Sequence, residues 1–356
     1  MKLIIKLSFI LTIVVNACTP EEEYCAFNDV DYIDDSAKNF NLTNESEFSL
    51  PYLGALDFKI YDNLMILTNS SKEKLMTIMD KDTHNLLGEF INYGRGPGEC
   101  LDAIYHSNLT IQNENGHLVG YFENSGLIYR IDITESLSNN ETVISQIPGF
   151  DNHNLIMRIL PLEQERFLIK EVSDEFDSQI RYIQANGERI ITPSMEHLNS
   201  IRLHAKRSDY LFNILSSFVH YNQVKDIVVE VPIFLNNINL YSLNDSFSKT
   251  ICLGKQLQNI NQYRKPDKLI RWAKDFRGYH NYFAILDGTS DDSTILFFTY
   301  EGELLCQITL DNRCSSFDID LSNSVLYTYN VSEEKFYLYD ISDILNVLGE
   351  HDSTQF

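Results

Sequence analysis

Three stretches of this chain hold residue types that could do chemistry. The first is NYGRGPGEC, residues 92–100, with three glycines and a proline inside five positions. Glycine-rich loops can cradle phosphates, because small residues let backbone N–H groups approach an anion. A dinucleotide fingerprint needs G-x-G-x-x-G between a strand and a helix. Here Gly94, Gly96 and Gly98 give G-x-G-x-G, Glu99 follows, and no helical pattern comes next. A Walker loop needs Lys and then Ser or Thr, where this chain has Glu99 and Cys100. Pro97 also removes a backbone donor. Gly94, Gly96, Pro97, Gly98 and Glu99 therefore read as a tight structural crossing, with Arg95 and Glu99 expected to pair across it.

The second stretch is QYRKPDKLIRWAKDFRGYHNYF, residues 262–283. It holds Arg264, Lys265, Lys268, Arg271, Lys274 and Arg277 against Asp267 and Asp275, together with the only tryptophan, Trp272. Leu269, Trp272, Ala273 and Phe276 recur at helical spacing, so residues 267–276 are expected to form a short amphipathic helix. Two accounts follow. In one, the helix buries Trp272 and its basic face is solvated. In the other, Arg271 and Arg277 pair with an anionic ligand and Trp272 or Tyr279 stacks on a sugar or aromatic ring.

The third feature is carboxylate. Asp318 and Asp320 alternate along a strand and so share one side; beside a channel they could act as acid and base. TSDDST, residues 289–294, lacks the glycine of a calcium loop and reads as a solvated turn. The nine histidines never fall at metal-ligand spacing, and no G-x-S-x-G elbow occurs. No cofactor and no metal are expected.

The elements that must position these residues repeat. An aromatic or aliphatic strand, a polar turn and another strand recur in KLMTIMDKDTHNLLGEF, GLIYRIDITESL, QIRYIQANGERIIT, NINLYSLNDSFSKTICL, TILFFTYEGELLCQITL and KFYLYDISDIL. The turns open at Asp80, Asp132, Ala185, Leu243, Tyr300 and Asp340, in steps of 52, 53, 58, 57 and 40. Each hairpin follows another strand-like run, such as NLMILTN or RFLIKEV, and a weaker one, such as ALDFKI or SSFDID. Four strands in each repeat of this length is the arithmetic of a β-propeller. The expected fold is all-β, with six four-stranded blades over residues 38–346. The sixth repeat lacks its outer strand, which 38–43 or 47–51 should supply to close the ring.

The ends carry other signals. Lys2 and Lys6 precede an apolar run that is too short for a membrane span of ~20 residues. Val15, Ala17 and Cys18 look like a lipobox. Residues 1–17 then read as a lipoprotein signal peptide, with Cys18 as the lipidated mature N-terminus, 18–37 as an acidic tether and 347–356 as a tail. Losing the two leader lysines takes the net charge from −23 to −25, which argues against nucleic acid as a partner. Cys25, Cys100, Cys252, Cys306 and Cys314 remain, an odd number without a CxxC pair, so buried free thiols are expected; Cys306 and Cys314, eight apart, could instead face each other on neighbouring strands.

A lipobox, repeats of this kind and the GxGPGE segment at Gly94, Gly96, Pro97, Gly98 and Glu99 resemble the Bacteroidetes six-bladed β-propeller lipoproteins, which are TolB-like propellers. The acidic run after Cys18 resembles their surface-export signal. The resemblance covers residues 38 to 345 or so. It implies a propeller fold and an outer-membrane location, lipid-anchored and facing the periplasm or the cell surface, but no reaction. Two functions stay open. One is a non-enzymatic, monomeric binding module for a glycan, anionic, peptide or protein ligand. The other is a propeller hydrolase or lyase with carboxylates in its central channel.

Overall fold

The structure is a computed structural model that describes residues 23–33, 37–50, 54–70, 73–105, 108–150, 155–203, 211–262, 269–290 and 292–349. Cys18 and the leader lie outside these residues. Six sheets form around a central channel, each with four antiparallel strands that run in chain order from the inside out except where the ring closes, and two of them carry a fifth, parallel strand at the outer edge. The inner strands are Ala55–Tyr61, Thr110–Glu114, Ile156–Leu162, Ser217–Asn222, Ala273–Gly278 and Ser316–Asp320. The expected six-bladed propeller is the observed fold.

Strands such as Ile227–Pro232 are buried throughout, because neighbouring blades cover both faces of each sheet. This is why they read as continuous apolar runs. The core lies in layers between blades. Ile66, Ile78 and Phe90 of blade one meet Leu118, Phe122 and Ile131 of blade two. Phe218 and Val229 of blade four meet Phe283 and Phe298 of blade five. Each such side chain contributes roughly 1.5–3 kcal/mol on burial. The five described cysteines are buried free thiols.

Of the two segments proposed to close the ring, the second does so. Ser46–Ser49 pairs antiparallel with Lys335–Asp340, and Phe48 stacks on Phe336 with ring centroids 4.7 Å apart. The first segment adds elsewhere: Lys38–Leu42 lies parallel to Leu304–Leu310 as a fifth strand of blade five. Val30–Ile33 does the same beside Ser248–Leu253 in blade four. Part of the stretch read as a tether is thus folded. Asn237 and Asn239 donate to the Cys25 carbonyl at 2.8 and 3.0 Å, the Phe27 N–H donates to Thr250 Oγ1 at 2.7 Å, and both Cys25 and Phe27 are buried. The acidic composition concealed this, because the carboxylates point outward, as Asp31 does toward Lys249.

Two further expectations need correction. The described part of the expected helix is not helical: Ala273–Gly278 is the inner strand of blade five, and Asp275 and Arg277 turn toward the channel rather than toward solvent. In the glycine crossing, Glu99 does not pair with Arg95. Its Oε2 accepts the Gly96 N–H at 2.7 Å, while Arg95 is exposed. A Cβ on Gly94 would lie 2.0 Å from that same oxygen, and Gly98 has φ +74°. The loop closes on its own carboxylate, and the Tyr93–Cys100 bridge leads the chain into blade two.

Candidate functional site

Three consecutive inner strands share a short pattern: ALDFKI at 55–60, AKDFRG at 273–278 and SFDIDL at 316–321. Each has aspartate at its third position. Alternation along a strand puts the third and fifth side chains on one side. Asp57 and Lys59, Asp275 and Arg277, and Asp318 and Asp320 therefore all turn toward the channel, from blades one, five and six.

Arg277 organises the group and is 6 % exposed. Its Nη1 meets Asp275 Oδ1 at 2.5 Å and its Nη2 meets Asp57 Oδ1 at 3.2 Å. It also donates to the Phe276 and Phe58 carbonyls at 2.9 Å each, while its Nε lies 3.9 Å from Asp318 Oδ2. The carboxylates stitch blades together. Asp275 Oδ2 accepts the Phe317 N–H of blade six at 3.0 Å, and Asp318 Oδ2 accepts the Ile60 N–H of blade one at 2.8 Å. Tyr279 donates its hydroxyl to Asp318 Oδ1 at 3.0 Å.

Electrostatics follow from three carboxylates facing one guanidinium and one amine in a dry place. Burial pushes the Asp275 carboxyl up to about 7 against the pull of Arg277, and Asp57 adds to the rise. The proton belongs to the cluster rather than to one oxygen. Burial also raises Asp318, against Arg277 and Lys59. Burial disfavours the charge on Arg277, but Asp275, Asp57 and Asp318 outweigh it and hold the guanidinium protonated. Burial, then Asp318, holds the Tyr279 hydroxyl well above the usual phenol range.

Above this plug the channel widens into a cavity of about 1250 Å³ that opens at the C-terminal ends of the inner strands. All six blades line it: Lys59, Gln112, Pro161, His220, Tyr279 and Asp320 come from blades one to six in turn. Ser342 and Asn346 of the C-terminal helix Ser342–Leu348 sit at its rim. Lys81 reaches in from blade one and holds Asp320 at 2.6 Å, keeping that carboxyl below its ordinary range despite burial. His220 lies over Gly278, where a Cβ would come within 2.3 Å of the ring. Burial, helped by the Lys59 charge, lowers the imidazole to about 3, so it is neutral at pH 7. Lys59 differs from the other cations here: among the described residues its amine makes no ion pair or hydrogen bond. Burial lowers its pKa, Asp318 opposes this and Arg277 adds to the fall.

The four ligand residues expected from the basic stretch divide between two faces. Arg277 and Tyr279 line the channel. Arg271 and Trp272 precede the strand, which puts them on the opposite face, about 20 Å away for six strand residues. Arg271 is exposed and donates from Nε to the Ala273 carbonyl at 3.1 Å. Trp272 is half-buried; its backbone N–H donates to the Ile233 carbonyl at 2.7 Å. Lys59, His220 and the Asp57–Asp275 pair were missed, although the repeated D-F-K and D-F-R triplets were in view. Among the described residues no cluster of three or more His, Cys, Asp or Glu side chains could hold a metal ion.

Comparisons place the fold. No family model matches the chain, and no curated protein does. Two solved structures superpose over most of it. A candidate exported protein of Bacteroides fragilis NCTC 9343 has TM-score 0.53 and 10 % identity, covering 85 % of this chain and 99 % of the other. A member of the DUF4221 family from Bacteroides vulgatus ATCC 8482 has TM-score 0.53 and 11 % identity, covering 84 % and 97 %. At such identities the likeness is one of fold, and this chain is similar to exported and family-level Bacteroides propellers in architecture.

Proposed function

We propose that this protein is a cell-envelope binding module, anchored by lipid on Cys18, whose channel mouth takes an anionic ligand of the size of a short carboxylated glycan. One observation carries the reading: an amine that makes no ion pair or hydrogen bond among the described residues, Lys59, lines a cavity of about 1250 Å³ to which every blade contributes. A cavity of this size suits a small organic ligand. A carboxylate brought to Lys59 would gain a charge-assisted hydrogen bond of about 1.5–3 kcal/mol. The exported neighbour supports an envelope location, and among the described residues no helix is long and apolar enough to cross a membrane.

The acid–base alternative finds its carboxylates engaged. Asp318 accepts from two backbone N–H groups and a tyrosine, and Asp320 is held by Lys81, Ser322 and Asn323. Calorimetry with uronic-acid oligosaccharides and matched neutral ones tests the reading. Binding confined to the acidic series and weakened in Lys59→Ala is expected. Equal binding of both series, unaffected by that substitution, would remove the anionic ligand; turnover of either series would restore the enzyme.

A further inference from the structure

The path of the N-terminal segment points to an orientation, resting on the lipid at Cys18 proposed above. Inner strands start on one face of the ring, where the interblade linkers run, and end on the other, where the cavity opens. Glu23 lies on the linker face. Its carbonyl accepts the Ile260 N–H at 2.9 Å, its N–H donates to Asn259 Oδ1 at 3.3 Å, and its Oε1 accepts the Arg202 N–H at 2.8 Å. Residues 200–203 and 254–262 are the linkers into blades four and five. From there Cys25 and Phe27 are buried in the core between blades three and four. Cys18 precedes Glu23 by five residues, which span at most about 18 Å. Six residues of inner strand alone rise about 20 Å. Cys18 itself therefore stays short of the mouth, and its lipid leaves from the linker side of the ring.

A second observation concerns the same face. Of the ten exposed large apolar side chains among the described residues, Tyr93, Tyr105, Leu155 and Ile270 lie in interblade linkers, while Val224 alone lines the mouth. Such groups are at home at the headgroup level of a bilayer. The acidic chain gains nothing from anionic lipid, so apolar contact and the anchor must supply the attraction. We infer that the linker face rests on the membrane surface, with Tyr93, Tyr105, Leu155 and Ile270 toward the headgroups, and that the channel mouth opens away from the membrane.

The test uses the acylated full chain in vesicles of phosphatidylcholine and phosphatidylethanolamine carrying a headgroup nitroxide. The described native cysteines are buried, so a fluorophore can be attached at a single new one. Arg95→Cys marks the linker face; Val224→Cys, in the turn after the blade-four inner strand and 76 % exposed as valine, marks the mouth. Quenching at 95 with none at 224 is expected. Acylated protein quenched equally at both, or only at 224, overturns the orientation while leaving the anchor intact. Mass spectrometry showing no acyl group on Cys18 overturns the anchor itself, and the orientation with it.

Discussion

Lys59 and Arg277 are both cations in one channel, yet they differ in what their removal leaves behind. Lys59 makes no ion pair or hydrogen bond among the described residues, so Lys59→Met breaks no direct contact and leaves Asp318 facing Arg277. Ligand affinity is expected to fall by about 1.5–3 kcal/mol, ten-fold or more in Kd, with the melting temperature unchanged or higher. Arg277→Ala leaves Asp275, Asp57 and Asp318 facing one another with only the more distant Lys59 to offset them. Loss of about 3–5 kcal/mol in denaturant unfolding is expected. His220 gives a pH signature. Its folded pKa, about 3, lies below the ordinary value of 6.5, so between these the unfolded chain binds more protons and stability falls as pH falls. In His220→Asn the loss of unfolding free energy from pH 7 to pH 4.5 should be smaller; an equal loss would mean that the imidazole is already charged in the folded state. The sequence showed the ingredients unequally. Arg181 and Glu230 are the lone charges of the strands QIRYIQA and IVVEVP, Lys170 lies beside Glu171 in RFLIKEV, and the three meet as a buried network between blades three and four. A lone charge in a buried run signals a partner, but nothing local names it, because the partner lies 49 to 60 residues away.

The elements were legible where spacing alone sets them. Polar turns recurring at 40 to 58 residues fix six blades whatever the side chains do, because each blade must bury both faces against its neighbours. The basic stretch misled because Leu269, Trp272, Ala273 and Phe276 meet a helical period by coincidence, while Asp275 and Arg277 were taken for a wet face. A strand lining a polar channel looks the same in sequence as one lining solvent. The N-terminal segment shows the other limit: Lys38–Leu42 alternates well enough to be expected as a strand, but nothing in it names the edge it joins, and Val30–Ile33, with both middle residues exposed, shows no alternation at all. These strands are not equivalent. Ser46–Ser49 completes a blade and closes the ring; the other two only cover edges already formed. Removing residues 1–37 is expected to leave a monomer with a substantially lower melting temperature, because it also strips Cys25 and Phe27 from the core between blades three and four and leaves Asn237 and Asn239 without their acceptor. Removing residues 1–49 exposes the edge of Lys335–Asp340 and the Phe336 ring, and self-association in size-exclusion chromatography is the expected result.

At the scale of the whole molecule, the cavity and the ring are one mechanical unit. Every blade lends the cavity a wall, and the Asp275–Phe317 and Asp318–Ile60 hydrogen bonds tie blades five, six and one beneath it, where the ring closes. A ligand in the mouth binds only when all six inner strands are in place, so it should stabilise the fold as a single cooperative body. At a hundred times its Kd a ligand adds about 2.7 kcal/mol. A body of roughly 320 residues unfolds with an entropy near 0.65 kcal/mol/K, which puts the expected shift in melting temperature at about 4 °C. Calorimetry should show one transition that moves intact. Two transitions of which only one moves would mean that the blades melt in groups, with the ligand held by part of the ring, and the polar stitching beneath the mouth would then be too weak to couple its halves. The Asp318→Asn variant separates these cases. It keeps an acceptor for Ile60 or for Tyr279 but not for both, and loses the charge facing Arg277. If stitching carries the cooperativity, that change should split the transition while Lys59→Met leaves it single.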